Sequence, residues 1–318
     1  MNGSPGVENK DSLLKELFEA SGIHAAIHKD PEVAHLVVYH NRVVGLKSLP
    51  GLEVKPKEKE DGVYIDFIVQ AGTVIAKPVY LCFGMMNETG QQNIVMDMVV
   101  GKDARINIFA HCTFPNSINI IHRMDAKICL EQGARYSYFE RHIHGEEGGI
   151  SVYPRARITL KEDSRFSTEF ELLKGRVGLI EIDYESTCQA RSILEMTARI
   201  SGRGSDEIKI NETAHLEGEK ARGVLTTKIA VRDSAKALVY NTLTASAPYA
   251  RGHVDCKEIV QNQAYARAVP VIQVNDPRAQ ITHEAAIGSV DSKQLQTLMS
   301  RGLSEEEGVE LIIKGLLS

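Results

Sequence analysis

The chain contains no tryptophan, and aromatic residues make up only 6% of its 318 positions, which weakens the case for an aromatic-lined carbohydrate cleft. It also has no excess of positive charge: 37 Lys and Arg against 42 Asp and Glu give a formal net charge of -5. Nucleic-acid binding, which rests on a basic face, is therefore not expected. No window approaches the roughly 18 to 20 uninterrupted apolar residues of a membrane span. The first residues, MNGSPGVENKDSLLKELF, do not follow the basic, apolar, small-residue order of a secretory signal, so a soluble, cytoplasmic protein is the expectation. The five cysteines, Cys82, Cys112, Cys129, Cys188 and Cys256, are odd in number, scattered and never paired as CxxC. Neither a disulfide framework nor a zinc ribbon follows, and reduced thiols are the simplest reading. A GxxxxGKS/T phosphate loop is missing too, so any ATP hydrolysis must be supplied by another chain.

What the chain has in abundance is short β-branched runs between turn residues. They begin after a first amphipathic helix at Lys10 to Phe18, with Asp11 as its expected N-cap and Leu13, Leu14, Leu17 and Phe18 on one stripe. The charged stretch Lys55 to Gly62 reads as a solvated connection closing an N-terminal mixed segment, residues 1–61. From there VYIDFIV, NIVMDMVV, ARINIFA, AKICL and ARYSYF read as strands. A small residue followed by Arg recurs at Ala104-Arg105, Ala134-Arg135, Ser164-Arg165, Ala190-Arg191 and Ala221-Arg222, at intervals of 30, 30, 26 and 31 residues. Repeated corner chemistry without intervening helices predicts a mainly β fold, a right-handed parallel β-helix over residues 62–290. A small helical segment over 291–318 follows, where Ser304 and Glu307 form a capping-box pattern. Terminal helices have a structural reason to exist there, because a solenoid must hide its last coil.

Chemistry is expected first between Arg251 and Gly288. There Asn275-Asp276-Pro277 separates two strand-like runs, and His283-Glu284 follows at the end of the last one. Neutral imidazole and carboxylate can both bind iron. In an extended segment, however, adjacent side chains face opposite ways. Cys256, in His253-Val254-Asp255-Cys256, is the best thiol of this half; a small buried core thiol is at least as good a reading. His142 and His144, in RHIHGEEGG, stand two apart, so on a strand they share a face and the spacing permits a metal, although the glycine-rich tail argues for a loop.

The ordered elements RGHVDC, AVPVIQVND, ITHEAAIGSVD, QLQTLMSRGLSEEE and VELIIKGLL resemble the SufB/SufD family of iron–sulfur cluster assembly proteins. The resemblance implies a non-enzymatic scaffold on a β-helix that works with a SufC-like ABC ATPase. It also implies a transient iron–sulfur cluster bound near His283, Glu284 and Cys256, and pairing of two chains, here a homodimer. The ATPase is expected on the helical part, at Gln294, Leu295, Leu298, Ser300, Arg301, Gly302 and Leu303. SufB-like members carry a cysteine where this chain has Val274, which can neither carry persulfide nor ligate iron. Two other readings stand beside this one: a β-helix carbohydrate-active enzyme acting on acidic glycans, and a partner-binding homologue without cluster chemistry.

Overall fold

The computed structural model describes residues 10–22, 27 and 30–318. Its first element is helix α1 (Lys10–Ala20). Asp11 falls inside α1 rather than ahead of it, and its side chain lies outside the described residues. Two antiparallel pairs follow, β1 (His35–Tyr39) with β2 (Arg42–Lys47) and β3 (Leu52–Lys59) with β4 (Gly62–Val69). The stretch expected as a solvated connection is thus mostly strand. Pro56, Lys57, Glu58 and Lys59 suit an edge position, where a missing N–H is harmless and charge deters further pairing.

From β4 onward every neighbour is parallel. One sheet continues from β1 through β5 (Val79–Gly84), β7 (Arg105–Phe114), β9 (Arg135–His144), β11 (Arg165–Lys174), β13 (Ile193–Gly202), β15 (Arg222–Val231), β17 (Arg251–Val260) and β19 (Gln280–Gly288). The other continues from β4 through β6 (Thr89–Val100), β8 (Asn119–Leu130), β10 (Ile150–Leu160), β12 (Leu179–Cys188), β14 (Glu207–Leu216), β16 (Lys236–Ala245) and β18 (Tyr265–Val274). Alternate strands go to alternate sheets, so each coil adds one strand to both: a parallel β-solenoid. Strand alternation then decides what fills it. Val152, Ile158, Leu160, Phe166, Leu194, Met196, Ile208 and Leu225 enter the lumen, while their sequence neighbours face outward.

The corner repeat is real, but one of its members is misassigned by the sequence. A fully buried small residue stands immediately before the strand at Ala104, Ala134, Ser164, Ser192, Ala221 and Ala250. Each follows a residue with positive φ, namely Asp103, Gly133, Asp163, Arg191, Lys220 and Tyr249. Arg191 therefore occupies the left-handed corner itself, and Ser192 takes the small buried place expected of Ala190. The narrow bend accepts only a side chain that fits beneath the next coil, and the Arg after it is incidental.

Helices α2 (Ser292–Met299) and α3 (Glu305–Leu316) close the chain, with Asp291 and the Ser304–Glu307 capping box at their N-termini. They do not cover the last coil as expected. Instead Ile313 and Leu317 pack with Ala230, Leu173 and Ile259 on the outer face of the ten-stranded sheet. Arg199 donates to the Leu317 carbonyl at 3.1 Å, and Lys228 donates to the Ser318 carbonyl at 3.0 Å. Burial of this apolar stripe holds the helices on the sheet face. Replacing Ile313, only 3% exposed, with Ala is expected to cost about 2–4 kcal/mol. A lowered denaturation midpoint and faster proteolysis around residues 300–304 would report it; unchanged values would mean that α3 is held by its polar contacts alone.

Candidate functional site

The last coil is left open. Among the described residues β18 pairs only with β16, and β19 only with β17. Almost every residue of β19 is exposed, and Val271, Val274 and Ile287 stand 43%, 45% and 47% exposed at this end. This edge carries fewer charges than the β3 edge at the other end, with Arg267 and Pro270 on β18 and Glu284 on β19.

His283 and Glu284 separate as alternation requires. His283 is in register with buried Val254 and so lies on the lumen side, whereas Glu284 is in register with Asp255 and faces outward, 3.8 Å from Lys257. They do not form one ligand pair. Cys256 shares the lumen side with His283, one strand inward and one alternation along. Burial, and secondarily Glu258, pushes its thiol up from the usual cysteine range.

Around Cys256 lies a polar group that the sequence reading missed. Asn241 Nδ2 donates to Cys256 Sγ at 3.5 Å; turned about, the same amide donates to Glu212 Oε2 at 3.2 Å. Burial pushes the Glu212 carboxyl up to about 8. Burial and the neighbouring Asp255 push Glu258 up to about 7, and neither of its oxygens has a partner among the described residues. The signal was in the alternation: Glu212 falls in the apolar phase of Ile208, Ile210, Ala214 and Leu216, and Glu258 in that of Val254 and Cys256.

A second polar group sits deeper in the lumen. His142 and His144 are not in a loop; β9 runs through His144 and buries both. The continuing ladder to β7 and β11 outweighs the glycine-rich tail, which begins only at Gly145. Register places Cys112 beside His142, and Ala110 beside Glu140. Cys112 Sγ is 3.8 Å from Glu140 Oε1, which is 2.7 Å from His142 Nε2. His142 Nδ1 is 3.1 Å from His144 Nε2, and His144 Nδ1 is 3.2 Å from the Arg176 carbonyl. Burial holds His144 well below the usual histidine range, so it is neutral. Its Nδ1 donates to the carbonyl and its Nε2 accepts from His142 Nδ1, which leaves His142 Nε2 facing Glu140. His122, across the lumen on β8, has its ring 5.9 Å from that of His142 and no partner for either nitrogen among the described residues. His111, next to Cys112, turns to the outer face, as alternation demands.

Of the residues expected to meet a partner, Gln294, Ser300, Arg301 and Gly302 are exposed, with Leu295, Leu298 and Leu303 half-buried. Leu295 and Leu298 face Gly308 of α3: a Cβ there would come within 2.7 Å of Leu295 Cδ1. Gln294 lines a groove with Ile287, Gly288, Ile312 and Leu316, between the open edge and the helices.

The family model for the SUF system FeS cluster assembly SufBD core domain matches residues 83–316. The chain belongs to the SufBD family. A SufBD family iron–sulfur cluster assembly protein of Methanocaldococcus jannaschii is 35% identical over 96% of this chain and 99% of its own length. One of Pyrococcus horikoshii is 31% identical over 96% and 92%. The SufB protein of Bacillus subtilis is 21% identical over 78% of this chain and 54% of its own. SufBD membership supports a role in iron–sulfur cluster assembly. The SufBD core match begins in β5 and takes in both luminal groups, the open edge and α2–α3. No helix among the described residues is long and apolar enough to cross a membrane.

Proposed function

We propose that this SufBD chain is a non-enzymatic scaffold that holds a transient iron–sulfur cluster at the open end of its solenoid, as one half of a homodimer, and is served by a SufC-like ABC ATPase docked on α2–α3. The observation that carries the proposal is the uncovered last coil, which presents an exposed histidine on the lumen side, one strand from a buried thiol. With Val274 where a thiol would be wanted, one copy offers His283 and Cys256, and the remaining ligands come from the second copy or from added sulfide. Glu284 faces outward, so its contribution is to the partner chain.

Two arms test it. Anaerobic incubation with ferrous iron and sulfide is expected to give a cluster absorption spectrum in the wild type; no bound iron would leave only a partner-binding role. For the ATPase, Gln294→Arg combined with Arg301→Glu changes two exposed side chains without touching the α2–α3 contact. Co-purification with a SufC-type subunit is expected to fall at least tenfold, and undiminished association would remove α2 from the docking site.

A further inference from the structure

We infer that Cys112, Glu140 and His142 form a metal site enclosed in the lumen, distinct from the open end, that takes a divalent first-row transition ion of the zinc or ferrous type. The three donor atoms, a sulfur, a carboxylate oxygen and an imidazole nitrogen, lie within 4.8 Å of one another, and this mixed set is one that zinc and ferrous iron accept. All three side chains come from two adjacent strands in fixed register, Cys112 beside His142 and Glu140 two residues before it. None is more than 2% exposed, so the site is built by the fold rather than gathered on a surface.

Hydrogen-bond direction supplies the second reason. The run from the Arg176 carbonyl through His144 to His142 Nδ1 orients the His142 ring with Nε2 toward Glu140, the arrangement by which an outer partner orients a metal-bound imidazole. The other nitrogen meets Glu140 Oε1 at 2.7 Å, a contact that a proton or a bound ion bridges. The Cys112 thiol beside them provides a third donor. On binding, the thiol gives its proton to solvent and the sulfur bonds to the ion. Any proton shared between Glu140 and His142 leaves as well, and no electrons are transferred.

A fourth ligand has two sources. His122 is 1% exposed, with both ring nitrogens unpartnered among the described residues, an uncommon cost for a buried polar side chain. A cavity of about 50 Å³, lined by Glu140, Tyr138, Tyr184, Thr168 and Met124, has room for a water. The site is five strand positions from β19 in the same sheet, on the order of 24 Å at the usual spacing between strands, so metal here and cluster at the open end are separable. Because the donors are buried, a bound ion leaves slowly.

The test uses the full-length chain, refolded anaerobically with cobalt(II) and then washed with chelator. About one retained cobalt per chain with a thiolate-to-cobalt charge-transfer band is expected. Competing zinc and ferrous arms show which ion is held. Cys112→Ser should abolish the band, the isosteric Glu140→Gln should reduce retention at least tenfold, and His283→Ala should change neither. The proposal is overturned if wild type retains no cobalt, if cobalt is held without the band, or if the band survives Cys112→Ser. Should Cys112→Ser not fold by circular dichroism, wild type and Glu140→Gln carry the test. Failure here would not touch cluster reconstitution at the open end, which uses other residues.

Discussion

Val274→Lys combined with Ile287→Lys is expected to abolish the proposed homodimer while leaving the solenoid folded. Both side chains are nearly half exposed in the single chain, at 45% and 47%, so charging them removes little burial from the monomer. In a two-fold interface each substitution occurs twice, and a buried unpaired charge at the centre of an interface costs about 2 kcal/mol or more. Even with strong non-additivity, dissociation should rise at least ~1000-fold. Sedimentation velocity at micromolar concentration reads the outcome. A double variant that still sediments as a dimer would move the interface away from β18 and β19.

Glu212→Gln has the second large effect, and it depends on pH. Burial raises the Glu212 carboxyl from its ordinary 4.5 to about 8, so the native chain keeps a proton that the unfolded chain has lost. Stability contributed by this group is therefore complete below about 4.5, declines as pH rises toward about 8, and is constant above that. The integrated loss is about 3–5 kcal/mol, at roughly 1.4 kcal/mol for each tenfold difference in proton affinity between the folded and unfolded chains. Glutamine keeps the polar contact to Asn241 but cannot ionise. Between pH 5 and pH 9 the urea midpoint of wild type should fall relative to that of Glu212→Gln; Glu258, up to about 7, and the buried His111, His122 and His144, whose depressed values act in the opposite direction, contribute equally to both proteins. Parallel falls would mean that water reaches Glu212 and solvates its charge.

The alternation of single residues made much of this molecule legible in its sequence. Period-two runs and recurring corners yield the solenoid, and the opposite faces of His283 and Glu284 follow from the same period. The fourth corner was misread because Arg191 looks like a strand start, and only the backbone shows its positive φ. The luminal group of Cys112, Glu140, His142 and His122 needed the register between coils, which brings residues 28 and 30 apart side by side. No local pattern encodes that. The berth of α3 was equally hidden: an amphipathic helix announces that it will bury a face, but not which surface receives it.

The most direct measurement is iron and acid-labile sulfide bound per chain after anaerobic reconstitution, compared among wild type, His283→Ala and Cys112→Ser. If the open end is where the cluster is held, His283→Ala loses most of both elements, and Cys112→Ser keeps its sulfide and the iron that accompanies it. Full sulfide and iron in His283→Ala, or their loss in Cys112→Ser with the fold intact, would contradict it.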